Sequence, residues 1–377
     1  MIFIYSSARH LCKLCRTTVQ NHVHLLTAVI LAALSVVPRP GLAVEYYGSS
    51  TILASDLSDP RRPQVYNGDL YFAENTFAPD GTLKKIPTTG GNPMTLVTGA
   101  SVYDSGIYRG IGKYTVNSSG VYGDYGGFQN MRIFAAPSGG SATTLASISG
   151  GAFLGVVGND VYFSSGFTHI NKVPTTGGPA TEELSGYWVG THAEDNGQVF
   201  FNAGGQNTGL LRFDAATASV ATLSELGSEF ASLTLDANNL YWSSSGNLLK
   251  MPRDGGPVTT LVQSGDIDYG EPYQIVSDGQ FVYFSNSAGA DPAIQRVPIE
   301  GGVPVSLAAL PPGTSVRGIA VDQESIYWTE PSSGTIRKLS LTSVAVPSPL
   351  VGISGTAMLG LLGFIRWQRR FRGHYMG

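Results

Sequence analysis

The sequence predicts an all-β fold, a seven-bladed β-propeller of four-stranded antiparallel blades, from three observations. The 377 residues include 48 glycines and only 13% charged residues, which suits short strands joined by tight turns. A Pro-x-x-Gly-Gly string recurs along the chain. An aromatic pair or its remnant also recurs about every 42 residues, the length of a four-stranded blade. The anchors of this repeat are Tyr71, Tyr122, Tyr162, Phe200, Tyr241, Tyr283 and Tyr327.

One repeat contains all four predicted strands. Leu233–Asp236 alternates as an inner strand, and Leu240–Ser243 and Asn247–Pro252 follow it. Arg253–Pro257 predicts a tight turn, because glycine reaches positive φ without strain, and Val258–Val262 is the outer strand. The turn recurs at 87–91, 137–140, 174–178 and 298–302, with proline at a strand end, where its missing N–H breaks no ladder bond.

The two ends of the repeat region are complementary. The last repeat stops near Leu341 without an outer strand, whereas Ser50–Ser55 has the pattern of one. We expect this N-terminal strand to complete the last blade, because an open ring leaves a bare sheet edge. Six or eight blades are the alternatives, since the repeat at Tyr122 is degenerate and the first step is long.

Residues 1–43 are typical of a secretory signal peptide. Basic residues precede the apolar run Leu25–Val37, and small residues suit cleavage after Ala43; an uncleaved anchor helix is the alternative. Both cysteines, Cys12 and Cys15, fall inside this segment, so an exported domain would be stabilised by its core without disulfides. The basic residues are Arg9, Lys13 and Arg16.

Residues 347–377 predict a sorting and anchor segment. The uncharged stretch 350–365 would form a transmembrane helix of about 24 Å, slightly shorter than a ~30 Å hydrocarbon core, and Trp367 would extend it at the interface. The basic tail, 366–372, should stay cytoplasmic and leave the domain at 44–346 outside. Its basic residues are Arg366, Arg369, Arg370 and Arg372.

This tail resembles the PEP-CTERM sorting signal of Gram-negative bacteria, which has a Pro-Glu-Pro-like motif, an apolar helix and a basic cluster. Pro347 and Pro349 match the motif, but Ser348 stands where the family most often has Glu. The resemblance implies an exosortase-like sorting enzyme as partner and a cell-surface location. A plain tail anchor is the alternative.

The charge distribution argues against nucleic-acid binding. Of the 23 Lys and Arg residues, eight lie in the two terminal segments, so residues 44–346 carry 15 basic against 27 acidic residues, a net charge of −12. Such an acidic domain repels phosphate backbones.

The domain at 44–346 resembles YWTD and NHL-type propellers, and more closely bacterial propellers of uncharacterised function with a Pro-x-x-Gly-Gly turn. The resemblance rests on the Tyr-Trp pairs and on an aspartate five residues before the aromatic anchor, as in Asp236 and Tyr241. It implies the architecture and leaves function open, because propellers host binding proteins and enzymes alike.

No catalytic residue is predicted. His169, in a predicted turn, and His192, at the start of an inner strand, are the two histidines of residues 44–346. Lactonase-like propellers bind calcium through Glu, Asn and Asp of inner strands, and streptogramin-lyase-like propellers use His and Glu with magnesium; neither set has a match here. The repeated aspartates are expected to cap turns. They are Asp195, Asp236, Asp278 and Asp322.

One loop offers hard-cation ligands. Asp266, Asp268 and Glu271 place three carboxylates within six residues, which suits Ca²⁺. An acidic, solvated loop without a cofactor is the alternative.

The connections from each outer strand to the next inner strand should gather at one mouth of the central channel. They include 99–112 and 184–193, and they carry aromatic and arginine residues, which commonly anchor binding surfaces and also suit sugars. The predicted ligand-binding residues are Arg109, Tyr187, Trp188, His192, Tyr269, Tyr273 and Arg317, with Tyr103 and Tyr108 nearby.

The sequence therefore predicts an exported, membrane-anchored, non-enzymatic binding or scaffold module whose surface ligand is a polysaccharide or a protein. The alternative is a propeller hydrolase or lyase with a divalent cation at the channel mouth. Turnover with a bound metal would favour the enzyme, and binding without turnover would favour the module.

Overall fold

The structure is a computed structural model that describes residues 49–74, 81–98, 102–104, 107–127, 129–137, 142–204, 209–225, 232–263, 275–286 and 292–341. The signal peptide expected at 1–43 and the anchor expected at 347–377 lie outside these residues. Within the described ranges, no helix has the length and hydrophobicity needed to cross a membrane.

The first three blades follow one another along the chain. The first strand, β1 (Thr51–Ala54), does not belong to blade 1. Blade 1 contains β2 (Arg61–Tyr66), β3 (Asp69–Glu74), β4 (Thr82–Pro87) and β5 (Met94–Val97). A hairpin of β6 (Val102–Asp104) and β7 (Ile107–Arg109) precedes blade 2, which contains β8 (Ile111–Asn117), β9 (Gly120–Gly126), β10 (Met131–Ala136) and β11 (Thr143–Ile148). Blade 3 contains β12 (Gly151–Val157), β13 (Asp160–Ser165), β14 (His169–Pro174) and β15 (Thr181–Ser185).

Four further blades follow along the described chain. Blade 4 contains β16 (Trp188–Asp195), β17 (Gln198–Gly204), β18 (Gly209–Asp214) and β19 (Ser219–Ser224). Blade 5 contains β20 (Ser232–Leu235), β21 (Asn239–Ser244), β22 (Asn247–Pro252) and β23 (Thr259–Val262). Blade 6 contains β24 (Val276–Ser277), β25 (Phe281–Asn286), β26 (Ala293–Pro298) and β27 (Val305–Ala309). Blade 7 contains β28 (Ile319–Val321), β29 (Ser325–Glu330), β30 (Thr335–Ser340) and, as its outer strand, β1.

The blades form a closed ring. Within the described residues there are seven four-stranded sheets, and each pairs its strands in antiparallel order. The inner strands β2, β8, β12, β16, β20, β24 and β28 each contact the next, and β28 contacts β2. The predicted seven-bladed propeller is confirmed, and these inner strands surround its central channel.

The aromatic pairs explain how neighbouring blades pack. Tyr71 lies in a hydrophobic cluster with residues of blade 2, whereas Phe72 lies in a cluster with residues of blade 7. Adjacent residues of a strand point to opposite faces of the sheet, so one ring of the aromatic pair packs against the next blade and the other ring packs against the preceding blade. This is why the pair recurs in the sequence once per blade.

The predicted closure by the N-terminal strand is confirmed. β1 pairs with β30, with Thr51 opposite Lys338 and Ala54 opposite Ile336. Beyond this pair, the backbone N–H of Leu57 donates to the carbonyl of Gly334 at 3.0 Å. The outer edge of blade 7 is therefore covered by the beginning of the described chain.

The Pro-x-x-Gly-Gly turns of blades 1, 3, 5 and 6 each lie against the preceding blade. In blade 1, the N–H of Gly90 donates to the carbonyl of Pro87 at 2.9 Å, and φ of Gly90 is 97°, a left-handed value that favours glycine. A Cβ built on Gly90 would lie 4.0 Å from Leu53 Cδ1 of blade 7. Lys338 Nζ of blade 7 also donates to the carbonyl of Thr88 at 2.8 Å.

Aspartate caps the turn between the first two strands, as predicted, in blades 5, 6 and 7. Asp278 Oδ1 accepts from the backbone N–H of Gln280 at 2.8 Å and of Phe281 at 2.7 Å. Its Oδ2 accepts from the hydroxyl of Tyr283 at 2.8 Å. Asp236 and Asp322 make the same three bonds, with Tyr241 and Tyr327.

The same expectation is wrong for Asp195. Its Oδ2 accepts from Arg253 Nη1 of blade 5 at 2.6 Å and from the Asn196 side chain. Phe200 occupies the position of the tyrosine and has no hydroxyl to offer. Asp195 therefore forms an ion pair between blades 4 and 5 instead of a capped turn.

Two predicted loops contain strands. The connection expected at 99–112 includes the hairpin of β6 and β7, which accounts for the long first step of the repeat. The loop expected at 184–193 is mostly strand, because β16 begins at Trp188. Gly190 interrupts the apolar alternation of β16, and glycine inside a strand pattern often marks a bulge.

Candidate functional site

Irregularities in the inner strands expose backbone groups at the channel. In blade 2, Ile111 faces Tyr125 and Tyr114 faces Gly123, so two residues of β8 stand opposite Asp124 alone. In blade 4, two residues of β16 stand opposite Asn202 in the same way. These bulges leave backbone N–H and C=O groups outside the regular ladder, and such groups need other partners when buried.

Glycine makes room for the side chain opposite each bulge. A Cβ built on Gly112 would overlap Asp124 Oδ1, and one built on Gly190 would overlap Asn202 Oδ1. Asp124, 3% exposed, can therefore turn back over β8. Its Oδ1 accepts from the backbone N–H of Lys113 at 3.1 Å.

The backbone of one residue of blade 3, Phe153, receives side chains from both neighbouring blades. Asp124 Oδ2 of blade 2 accepts from the N–H of Phe153 at 2.7 Å. His192 Nε2 of blade 4 lies 2.6 Å from the carbonyl oxygen of Phe153. Lys113 Nζ donates to the carbonyl of His192 at 2.8 Å. We call Lys113, Asp124, Phe153 and His192 the inner-strand network; it joins three consecutive blades.

Burial dominates the electrostatics of this network. Burial, together with the nearby Arg62 guanidinium, lowers the pKa of Lys113 to about 7, although Asp124 opposes this shift. Burial and the Lys113 ammonium lower the pKa of His192 to about 3. Burial also raises the pKa of Asp124, against its bonds from Phe153 and Lys113.

The contacts of His192 give this residue a structural role. Its Nδ1 lies 3.1 Å from the carbonyl of Gly190, and its Nε2 is held by Phe153. Both ring nitrogens therefore face backbone oxygens, and the residue lies within β16 and is 6% exposed. A neutral imidazole carries one N–H and donates to one of these carbonyls at a time, and the ring is buried in the fold rather than presented to solvent.

A second feature is an exposed aromatic pair, Phe167 and Trp188, which we call the aromatic platform. Trp188 begins β16 and is 50% exposed, and Phe167 lies in the turn between β13 and β14 and is 39% exposed. The ring centroids are 6.3 Å apart, with the planes inclined by 69°. The N–H of Val189 donates to the carbonyl of Phe167 at 3.3 Å, so the backbone ties the two segments together.

Glycine brings the backbone close beneath both rings. A Cβ built on Gly150 would lie 2.6 Å from Phe167 Cε2, and one built on Gly204 would lie 3.1 Å from Trp188 Cε3. His169 and Glu182 flank the turn and form a partly exposed pair, with Nδ1 and Oε2 3.1 Å apart. Rigid aromatic surface beside polar groups is the combination that binding sites use.

The remaining predicted site residues are spread over the chain. Tyr187 is half-buried beside Trp188 and packs on the cluster between blades 3 and 4. Arg317 precedes β28 in blade 7, where its N–H donates to the carbonyl of Thr329 at 3.1 Å. Arg109 ends β7. The structure thus brings together Tyr187, Trp188 and His192 at β16. The five other predicted ligand-binding and metal-binding residues lie outside the described residues. They are Tyr269, Tyr273, Asp266, Asp268 and Glu271.

Sequence reasoning missed several residues: Lys113, Asp124 and Phe153 of the inner-strand network, Phe167 of the aromatic platform, and Glu194 of β16. Phe167 follows a glycine in a short turn, and no pattern singled it out. Glu194 lies near the far end of β16, where burial raises its pKa to about 7. A Cβ built on Gly155 would lie 2.6 Å from Glu194 Cγ, so the glycine at position 155 is the sequence feature that could have indicated the buried Glu194 side chain.

Among the residues that the structure describes, no three His, Cys, Asp or Glu side chains are grouped to hold a metal ion.

Comparison with known proteins supports the architecture. No protein-family model matches the sequence, and no curated protein matches it. Among solved structures, the chain resembles a catalytically inactive virginiamycin B lyase from Staphylococcus aureus with quinupristin (15% identity, TM-score 0.59, covering 78% of this chain and 98% of that chain). It also resembles the Neurospora crassa Pan2 WD40 domain (10% identity, TM-score 0.55, 81% and 94%).

A third similar structure is the extracellular domain of the putative hybrid two-component system BT4673 from B. thetaiotaomicron (10% identity, TM-score 0.56, covering 78% of this chain and 43% of that chain). Identities this low establish the fold and leave the function open. The fold, with its closed ring and seven blades, is that of a β-propeller.

Proposed function

We propose that this protein is an exported, surface-anchored binding module whose aromatic platform takes a glycan. The observation that carries the proposal is the half-exposed Trp188, held edge-on to Phe167 and over glycine backbone. An aromatic ring fixed in this way loses little conformational freedom when a ligand binds, which favours affinity.

The surroundings of the platform suit a ligand that is apolar on one face and hydroxylated at its edge. The apolar face of a sugar ring can lie against Trp188, while the His169 and Glu182 side chains, 42% and 52% exposed, can bond hydroxyl groups. A single exposed hydrophobic residue is ordinary on a protein surface. Two aromatic rings tied by backbone and flanked by a polar pair form a more specific surface.

Export and anchoring are part of the proposal and come from the termini. The apolar run of residues 1–43 would direct secretion, and the segment 347–377 would hold the protein at the membrane until an exosortase-like enzyme processes it. A glycan-binding module at the cell surface would then meet envelope or extracellular polysaccharide.

The experiment is a binding measurement with the detergent-solubilised full chain against a panel of envelope and extracellular polysaccharides. We expect saturable binding that weakens at least about tenfold in Trp188→Ala, the loss expected for an aromatic anchor of a binding surface. Val303→Ala is the matched control, because Val303 is 57% exposed and lies in a turn of blade 6.

The result also separates the module from the enzymatic alternative. Depolymerised product that appears only with an added divalent cation would establish a hydrolase or lyase. Equal glycan binding by Trp188→Ala and the parent chain would refute the platform as the binding surface.

A further inference from the structure

The side-chain amine of Lys113 lies at the wall of the central channel. Lys113 belongs to β8 of blade 2, and its Nζ donates to the carbonyl of His192 in blade 4 at 2.8 Å. Blade 3 stands between these two blades, so the side chain passes on the channel side of blade 3. Lys113 is half-buried, so the residue is not sealed from the solvent in the channel.

Lys113 forms no ion pair with any residue that the structure describes. Four other lysines each form a salt bridge with a carboxylate; they are Lys84, Lys85, Lys172 and Lys250. A carboxylate partner stabilises the ammonium form of a lysine. The ammonium form of Lys113 lacks this stabilisation.

The acid beside Lys113 is bonded to the backbone instead of the amine. The charged and titratable groups around Lys113 are Arg62, Tyr114, Asp124 and His192. Asp124 Oδ1 accepts from the backbone N–H of Lys113 at 3.1 Å, and its Oδ2 accepts from the N–H of Phe153 at 2.7 Å. Both carboxyl oxygens are therefore held on inner strands, and the carbonyl of His192 remains the described acceptor of Lys113 Nζ.

This setting favours the neutral amine. Burial is the main cause that lowers the pKa of Lys113 to about 7; the Arg62 guanidinium adds to the effect and Asp124 opposes it. His192 adds no positive charge near neutral pH, because burial lowers its own pKa to about 3. A large share of Lys113 is thus unprotonated near neutral pH, and an unprotonated amine has the lone pair that attacks a carbonyl carbon.

We propose that Lys113 is a nucleophilic amine that binds small aldehydes from the central channel covalently, as an imine. The nitrogen lone pair attacks the aldehyde carbon, and a proton moves from nitrogen to the former carbonyl oxygen to give a carbinolamine. The hydroxyl group of the carbinolamine then takes a proton from solvent and leaves as water, while nitrogen forms the C=N bond and returns its second proton to solvent. The step consumes no oxidant or reductant.

This site is separate from the aromatic platform and does not depend on glycan binding there. The aldehyde meets the amine on the channel side of blade 3, whereas the platform lies at the turn between β13 and β14 and the start of β16.

The test is reductive trapping in the detergent-solubilised full chain with propanal and cyanoborohydride, followed by peptide mass mapping. Lys172 is the matched control in the same sample, because it is also half-buried but pairs with Glu183 at 3.2 Å, and this carboxylate raises its pKa. Near pH 7, Lys113 should gain its propyl group at least about tenfold faster than Lys172.

The pH dependence gives an independent readout. The neutral fraction of Lys113 levels off above its pKa of about 7, whereas that of Lys172 keeps rising. The ratio of the Lys113 rate to the Lys172 rate should therefore fall at least about tenfold between about pH 6 and pH 9. Any effect of pH on the reduction itself acts on both lysines and cancels in the ratio.

Lys113→Arg confirms the labelled position, since arginine keeps a donor for the His192 carbonyl but has no nucleophilic amine. The peptide that contains position 113 should then carry no propyl group, and labelling of Lys172 should be unchanged. The thermal midpoint reports whether the ring of this variant remains folded. Equal trapping rates at Lys113 and Lys172 in the parent chain, or a ratio that does not change with pH, would overturn the proposal without relying on any variant.

Discussion

His192 Nε2 lies 2.6 Å from the carbonyl oxygen of Phe153, and this contact fastens blade 4 to blade 3 beside the channel. The N–H of the same residue is bound by Asp124 of blade 2. The peptide groups on either side of Phe153 are thus shared among three blades. Their partners are side chains because β12 is the innermost strand of blade 3 and has no neighbouring strand on its channel side.

Removing the imidazole should destabilise the ring. In His192→Ala, the buried carbonyl of Phe153 loses its donor, and an unsatisfied buried polar group costs about 1–3 kcal/mol. Denaturant unfolding followed by fluorescence measures this loss. The matched control is His169→Ala, which removes a partly exposed side-chain contact with Glu182 and should change the free energy of unfolding by less than about 1 kcal/mol. Equal losses in both variants would contradict the structural role of His192.

His192 should also make stability depend on pH. Its pKa falls from 6.5 to about 3 on folding, so between these values the unfolded chain binds a proton that the folded chain does not. The free energy of unfolding therefore decreases as pH falls from about 6.5 toward 3, with a slope of up to about 1.4 kcal/mol per pH unit. His192→Gln should flatten this part of the profile. An unchanged slope would show that other groups control acid unfolding.

The blade architecture was predictable from the sequence because its signals are local. The aromatic pair, the Pro-x-x-Gly-Gly turn and the Asp–Tyr capping pair each lie within one repeat, and the missing outer strand after Leu341 identified β1 as its replacement. The inner-strand network was not predictable in this way. Lys113 and His192 are 79 residues apart and meet only when three blades have stacked.

The aromatic platform was predictable from the sequence only in part. Trp188 was singled out by composition, but its partner Phe167 belongs to a turn of another blade and carries no repeat signal. Gly112, Gly155 and Gly190 are glycines within inner strands, and each makes space for a polar side chain of a neighbouring strand. A glycine within one of these inner strands is therefore the sequence feature that indicates the close approach of a polar side chain.

The Asp278 and Tyr283 pair should be coupled energetically. The carboxylate accepts two backbone N–H groups and the tyrosine hydroxyl, and burial together with Asp278 raises the pKa of Tyr283. A double-mutant cycle of Asp278→Ala and Tyr283→Phe should give a coupling of about 0.5–3 kcal/mol in urea unfolding. The corresponding cycle in blade 4, Asp195→Ala with Phe200→Leu, serves as control.

That control cycle should show a smaller coupling, because Phe200 has no hydroxyl and is connected to Asp195 through Arg253, which bonds Asp195 and lies 5.0 Å from the Phe200 ring centroid. Equal coupling energies in the two blades would mean that the hydroxyl contact adds nothing to the capped turn.

The predicted anchor can be tested by charge reversal. Glutamate in place of Arg366, Arg369, Arg370 and Arg372 removes the positive charge that should keep the tail cytoplasmic, so the protein should be released from the membrane fraction or misoriented. Carbonate extraction and protease protection of cells measure this. Replacement by lysine keeps the charge and is the control. Unchanged fractionation of the glutamate variant would refute the assignment of residues 347–377 as a membrane anchor.

Closure of the ring can be probed by one glycine. Gly334 has φ of 63° and Gly158 has φ of 59°, so alanine is strained to a similar extent at both positions. A Cβ on Gly158 would meet no atom within 4 Å, whereas one on Gly334 would overlap the carbonyl oxygen of Leu57, just after β1. Gly158→Ala should cost about 1 kcal/mol from backbone strain. Gly334→Ala should cost more, because Leu57 must shift and its 3.0 Å bond to Gly334 weakens.

Thermal unfolding and size-exclusion chromatography distinguish the two glycine variants. The Gly334 variant should melt at lower temperature than the Gly158 variant and should associate on heating, because release of β1 exposes the edge of β30. Deleting residues 44–58 removes β1 altogether and should give aggregates without a cooperative transition. A soluble truncated protein that melts cooperatively would show that β1 is dispensable for closing the propeller.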